Sequence, residues 1–272
     1  MINLRTIKEA TKAMLYRLIP KDGGYSNLRV LTGPAKRTLL RLDLRVEGSY
    51  WLGTYDKWIF DQIPFSKLIQ PGSVVWDCGS YVGYYTACFR NFVGPTGQVH
   101  AFEASTPNYQ RLRGLPARNN WTNVFVHNVA VGPEHSILEF VENLGGASGP
   151  YGLSKSYDPK AQLTINKVPC RGIDELVYEQ GIPAPAFMKL DLESAEEFAL
   201  HNGDRVFSTQ RPLVLLEIHG ASAKAATGLF LERYSYAGIQ PTDYAASRRF
   251  IRSRDDCETL DGDWQMLLCV PQ

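Results

Sequence analysis

The chain has 272 residues, 44% of them hydrophobic and 11% aromatic, enough apolar material for a full core, which excludes disorder as its main state. Its 29 basic and 28 acidic side chains leave a net charge of +1, so no global field draws it to nucleic acid or an anionic membrane, and charge-based recognition must be local. Five cysteines (Cys78, Cys88, Cys170, Cys257 and Cys269) are odd in number and lack CxxC or Cys/His ligand spacing, so neither a disulfide framework nor a zinc site is expected, and no metal is assigned.

At the N-terminus Leu4, Ile7, Met14, Leu15 and Leu18 recur at helical spacing between Arg5, Lys8, Lys12 and Arg17, the pattern of an amphipathic helix packed on the body. Its charges rule out a signal peptide, and no run approaches eighteen apolar residues, so a soluble protein in a reducing cytoplasm is expected. Leu40, Leu42, Leu44 and Val46 then alternate with Arg41, Asp43, Arg45 and Glu47 before Gly48 and Ser49 lead into Tyr50, Trp51 and Leu52, which predicts a half-buried antiparallel hairpin. Residues 1–60 are thus read as a helix-and-hairpin extension and 61–272 as the main domain. From Ser73 the pattern becomes apolar runs alternating with helical stretches: SVVWDCG, a helix to about Phe92, QVHAFEA, another helix, and VFVHNVAVG. That alternation predicts an α/β fold with a parallel, doubly wound sheet. The runs ILEFVEN, FMKLDLE (187–193) and PLVLLEIH (212–219), a helix near 222–237 and a last strand QMLLCVP follow. Residues 144–160 and 247–256 read as surface loops, with cleft covers as the alternative.

The segment VVWDCGSYVGYYT places Asp77, Gly79 and Gly83 where the first strand of such a sheet hands over to its first helix, the place where open parallel sheets bind nucleotide-like ligands. A pyrophosphate fingerprint needs a glycine two positions after Gly79, and Tyr81 stands there, which disfavours a dinucleotide. The second strand ends in Glu103, twenty-six residues after Asp77, where a carboxylate accepts hydrogen bonds from a ribose diol. Ala104 joins it, and in the third strand Asn128, Val129 and Ala130 are placed to flank an adenine ring. A ligand with an ammonium group and a ribose suits this acidic turn; S-adenosylmethionine has both.

In FMKLDLE, Phe187, Lys189, Asp191 and Glu193 share one face at period two, and in LLEIH Glu217 and His219 share another. Ionisable groups on central strands are costly unless paired or open to a cleft. Adjacent strands would let Lys189 and Glu217 form a buried ion pair and bring Asp191, Glu193 and His219 to the ligand as candidate proton acceptors; Asp191 is also a candidate contact of the cofactor.

In order, GTYDKW, VVWDCGSYVGYYT, VHAFEASTPNYQRL, NVAVG, RGIDEL, FMKLDLESAE and LLEIH resemble the FkbM-type methyltransferases. Typical members read close to D-V-G-A-N-x-G-Y-Y-T and K-I-D-V-E-G-A-E at the two best blocks. The resemblance implies a Rossmann-like class I methyltransferase with a seven-stranded, mostly parallel sheet, helices on both faces and an antiparallel last strand. It also implies S-adenosylmethionine as methyl donor and a hydroxyl of a sugar, glycan or polyketide as acceptor. Cys78, Ser80 and Tyr81 depart from the first block and Ser194 replaces the usual glycine of the second, with Tyr81 altering the cradle for the methionine moiety. Two rival readings are a cofactor-binding scaffold without catalysis and a nicotinamide oxidoreductase. The oligomeric state is not legible.

Overall fold

The computed structural model describes residues 24–142, 149–150, 164–244 and 249–272. The N-terminal amphipathic helix and most of the 144–160 loop lie outside the described residues. Among the described residues there are thirteen strands: β1 (Ser26–Arg29), β2 (Leu39–Leu42), β3 (Val74–Cys78), β4 (Gln98–Phe102), β5 (Val124–His127), β6 (Ala130–Val131), β7 (Ser136–Glu142), β8 (Gly149–Pro150), β9 (Thr164–Arg171), β10 (Phe187–Leu190), β11 (Leu213–His219), β12 (Tyr236–Ile239) and β13 (Trp264–Pro271). The central sheet has seven, in the order β12-β13-β11-β10-β3-β4-β5. β13 runs antiparallel to β11 and β12, and the pairings among β11, β10, β3, β4 and β5 are all parallel. This is the Rossmann-like α/β architecture expected from the alternating pattern.

Each central strand divides its side chains between two cores, because successive residues point to opposite faces. Trp76, Cys78, Met188, Leu190, Leu216 and Ile218 pack on one side with the helices Ile173–Tyr178 and Gly220–Tyr234. Val75, Val99, Phe187, Leu215 and Leu268 pack on the other with the helix Tyr84–Val93. Five free cysteines are all buried, Cys170 within β9, which suits structural thiols.

Strand order reverses between β3, whose successors β4 and β5 lie on one side, and β10, whose successor β11 lies on the other. At such a switch point the chain diverges above the strand ends and leaves a crevice. A smaller sheet, β6-β9-β7-β8, stands beside it; β7 carries the run ILEFVEN. The seventh central strand is the four-residue Tyr236–Ile239, which directly follows its helix and carries little sequence signal of its own.

Two local expectations are corrected. β2 pairs antiparallel with the upstream Ser26–Arg29, and Gly48–Leu52 is a short helix closed by the left-handed Gly53, so the hairpin uses a different partner. The described part of 247–256 is likewise more than a surface loop: Ile251, buried, bridges to Gly238, and the helix Arg254–Glu258 starts in a Ser253 capping box. Among the described residues no helix is long and apolar enough to cross a membrane.

Candidate active site

A cleft of about 730 Å³ opens at the carboxyl ends of β3 and β10. Of the residues singled out from the sequence, Gly79, Tyr81, Glu103, Ala104, Val129, Ala130, Asp191 and Glu193 line it. The turn after β3 owes its path to Gly79: its φ is +83°, and a Cβ there would stand 1.8 Å from the Asp191 carbonyl oxygen, so the two switch-point loops touch backbone to backbone. Glu103 is buried and held rigidly. One carboxylate oxygen accepts from the Tyr81 amide (2.6 Å), the other from the Ser105 amide (2.8 Å). Beyond it Phe102, Val129, Ala130 and Val131 form an apolar wall.

Four candidates sit differently. Asp77 is fully buried beneath the floor; Oδ2 accepts from Thr86 Oγ1 (2.5 Å), Oδ1 has no hydrogen-bond partner, and the residue faces Lys189 across the register. Burial pushes its carboxyl up, against the pull of Lys189. It balances charge below the cleft rather than lining it. Gly83 starts the helix Tyr84–Val93 at φ +88°, where a Cβ would strike Leu112 and Leu115, so its role is packing. Asn128 donates to the carbonyls of Glu103 (2.9 Å) and Ala104 (3.2 Å) and fixes that loop from behind. His219 is outside the lining as well.

The 187–193 run also departs from a continuous strand: β10 ends at Leu190, and Glu193 and Ser194 take left-handed φ values of 51° and 80°. Tyr81 has φ 49°. These are conformations that asparagine and glycine tolerate and tyrosine and serine adopt at a cost. They are also the positions where this chain departs from the Asn and Gly of the two motif blocks. Tyr81 is anchored in exchange, its hydroxyl donating to Glu47, which pairs with the buried Arg111.

Lys189 pairs with Asp191, Nζ to Oδ2 at 2.6 Å, and not with Glu217 as the strand pattern suggested. The register explains this: Lys189 lies opposite Leu215, so Glu217 is two residues further along β11. Glu217 instead accepts from Trp264 and faces His219 Nε2 at 3.4 Å, while His219 Nδ1 meets the buried Glu196 at 2.9 Å. Burial, opposed by Lys189 and reinforced by Glu217 and Glu193, pushes the Asp191 carboxyl up to about 7. Burial also raises Glu193, against the pull of His219. Burial would lower His219, but its hydrogen bonds to Glu196 and Glu217 lift it to about 10. With both nitrogens engaged and its proton held more tightly than in a free imidazole, His219 is less suited than Asp191 to act as base. Ligand atoms of Asp191, Glu217 and His219 lie within 4.8 Å of one another, but this network already satisfies them.

The sequence reading missed the outer wall. Tyr25, Asp43, Glu47, Tyr50 and Tyr55 from the segment before β3, and Arg111 from the helix Thr106–Leu112, complete the cleft. Only the strict Arg41/Asp43/Arg45/Glu47 alternation of the expected half-buried hairpin hints at them.

A family profile described as "Methyltransferase FkbM domain" matches residues 77–255, well over half of the chain. The chain belongs to the FkbM methyltransferase family. Its cofactor is accordingly S-adenosylmethionine. Among solved structures, the chain is similar to methyltransferase FkbM from Methylobacillus flagellatus KT, with 16% identity and a TM-score of 0.40. That alignment covers 97% of this chain and 59% of the other, so the chain spans about three fifths of that relative's length. It is also similar to Aeropyrum pernix fibrillarin, solved with bound S-adenosyl-L-methionine, at 12% identity and a TM-score of 0.41, covering 75% of this chain and 68% of that one. No curated protein gives a significant match.

The residues present fit this cofactor: a buried carboxylate lining the cleft at Glu103, an apolar wall for a purine, and the carboxyl groups of Asp191 and Glu193 for cationic groups.

Proposed function

We propose that the protein is a cytoplasmic S-adenosylmethionine-dependent O-methyltransferase acting on a hydroxyl of a sugar, glycan or polyketide-type compound, with Asp191 as proton acceptor. The observation that carries this reading is the Asp191 carboxyl: it lines the cleft beside Gly79 and has its affinity for protons raised to about 7. A carboxyl whose proton affinity is raised toward neutrality suits a general base better than a free carboxylate does. The cofactor supplies a methyl group on a positively charged sulfur. Glu103 would hold the ribose, with Val129 and Ala130 against the base and Gly79, Tyr81 and Asp191 around the methionine end. The cleft would have to hold the acceptor hydroxyl against that methyl group and beside Asp191. Asp191 would take the proton of the acceptor hydroxyl as that oxygen accepts the methyl group the cofactor supplies, leaving an uncharged thioether. Lys189 keeps the Asp191 carboxylate oriented, and Glu193 adds negative potential at the sulfonium.

Tyr25, Tyr50 and Tyr55, set among Asp43 and Glu47, support a polyhydroxylated acceptor, because ring faces and acceptor oxygens together suit sugar-like surfaces. A net charge of +1 and free buried cysteines support a non-nucleic-acid acceptor and a reducing compartment. Calorimetric titration with S-adenosylmethionine and with a nicotinamide dinucleotide, followed by S-adenosylhomocysteine release with a panel of hydroxyl acceptors, tests the reading. Asp191→Asn should lower turnover about 100-fold or more while the cofactor still binds. Turnover within a few-fold of the parent would remove Asp191 as base, and binding without turnover on any acceptor would favour a non-catalytic scaffold.

A further inference from the structure

Between the β1–β2 turn and the end of the helix Leu115–Arg118 lies a second, smaller cleft of about 240 Å³. Arg29 of β1, Lys36 and Arg37 of the β1–β2 turn, and Arg118 from the helix Leu115–Arg118 converge on it. No acidic residue lines it, and none of the four cations has a carboxylate partner among the described residues. In a chain of net charge +1 this is the local concentration of charge that composition alone could not locate. We propose that this cleft binds a small soluble ligand through a pyrophosphate-type group.

Two of the cations, Arg29 and Arg118, are fixed by side-chain hydrogen bonds. Arg29 Nη1 donates to the Arg37 carbonyl at 2.7 Å, joining the first strand to the turn. Asn119 grips Leu39 on both sides, accepting from its amide at 2.7 Å and donating to its carbonyl at 3.0 Å, which docks β2 against the end of the Leu115–Arg118 helix. Arg118 is half-buried; Nη2 donates to the Arg111 carbonyl at 2.9 Å, while its buried Nε has no partner. Burial and the like charges of Arg41 and Arg111 pull its guanidinium down to about 10, so a nearby anion would relieve a real repulsion. A single carboxylate answers one cation. Two linked phosphates present several charges and paired oxygens, the geometry that guanidinium forks recognise.

The test is calorimetric titration with inorganic pyrophosphate at low and at moderate salt, on the parent and on three variants. Lys36→Gln/Arg37→Gln changes an exposed turn and should leave the fold intact, Arg118→Gln removes the half-buried cation, and Arg205→Gln/Arg233→Gln removes the same charge elsewhere on the surface. The expected result is saturable binding of one pyrophosphate per chain, weakened at least tenfold in the first two variants and unchanged within twofold in the third, with affinity falling as salt rises. Absence of saturable binding in the parent, or equal weakening in all three variants, overturns the proposal. If Arg118→Gln fails to fold, the Lys36/Arg37 variant decides it alone.

Discussion

Replacing Lys189 by methionine tests the electrostatics under the cleft most directly. Lys189 is 2% exposed, with Asp191 at 2.6 Å, Asp77 in register on the adjacent strand and the Tyr85 ring 4.8 Å from its nitrogen. At an effective dielectric near 20, two unit charges 2.6 Å apart attract by about 6 kcal/mol, which is of the order of the several kcal/mol that each ion loses on leaving water. The intact pair therefore contributes little net stability. Removing one partner is different, since Asp191 keeps its desolvation cost and loses its counter-ion. The expected loss is about 3 kcal/mol near pH 8, or roughly 6 to 12 °C in Tm for a chain of this size.

The same substitution has a defined pH signature. Folded Asp191 and Asp77 already titrate above their ordinary values, with Lys189 opposing the shift. A carboxyl raised in the folded state favours folding at low pH, and that contribution is lost as pH rises through the folded value, up to about 7 for Asp191. Without Lys189 these values rise further, so the deficit should shrink from pH 8 to pH 5. Thermal and urea unfolding at both pH values measure it. In double-mutant cycles Asp191→Asn should recover about 2 kcal/mol of the loss, whereas Glu217→Gln, whose residue is held by Trp264 and His219, should recover well under 1 kcal/mol. A larger recovery with Glu217, or a deficit that does not change with pH, would refute this account of the network.

Glu103→Gln should weaken S-adenosylmethionine binding by about 2 kcal/mol, because the amide loses a charged acceptor and turns a donor toward the Tyr81 or Ser105 amide; unchanged affinity by calorimetry removes Glu103 from the ribose site. Ser194→Gly should stabilise the protein by about 0.5 to 1 kcal/mol: relief of a left-handed serine at φ 80° brings roughly 1 to 2 kcal/mol and added unfolded-state freedom takes back up to about 1, as chemical denaturation will show. His219→Gln should cost about 1 to 3 kcal/mol near pH 6 and progressively less as pH rises through about 10, since the raised histidine stabilises the fold only while protonated; a loss independent of pH would contradict its pairing with Glu196 and Glu217.

The alternation of apolar runs and helical stretches determined the class of fold, because a buried parallel sheet needs strands apolar on both faces and helices to cover them. The turn chemistry of DCGSYVG and the carboxylate closing VHAFEA likewise located the cleft before any coordinate was known. Those signals are local: a strand end, a glycine and an acid within a few residues. What the sequence could not determine is which charged groups meet, since Lys189 and Asp191 pair within one strand end while register carries Glu217 to His219 and Trp264. Nor could it place Asp77 beneath the floor and Glu47, Tyr50 and Arg111 in the wall of one cavity, because contacts between residues 47 and 111 depend on how separate elements pack. The strained φ values at Tyr81 and Ser194 show the same division: the motif departures were visible as letters, and only the folded backbone shows that both fall where the chain must turn left-handed. Tertiary structure alone decided the setting of His219, for the packing that brings Glu196 and Glu217 to its two nitrogens raises its proton affinity against the opposing effect of burial.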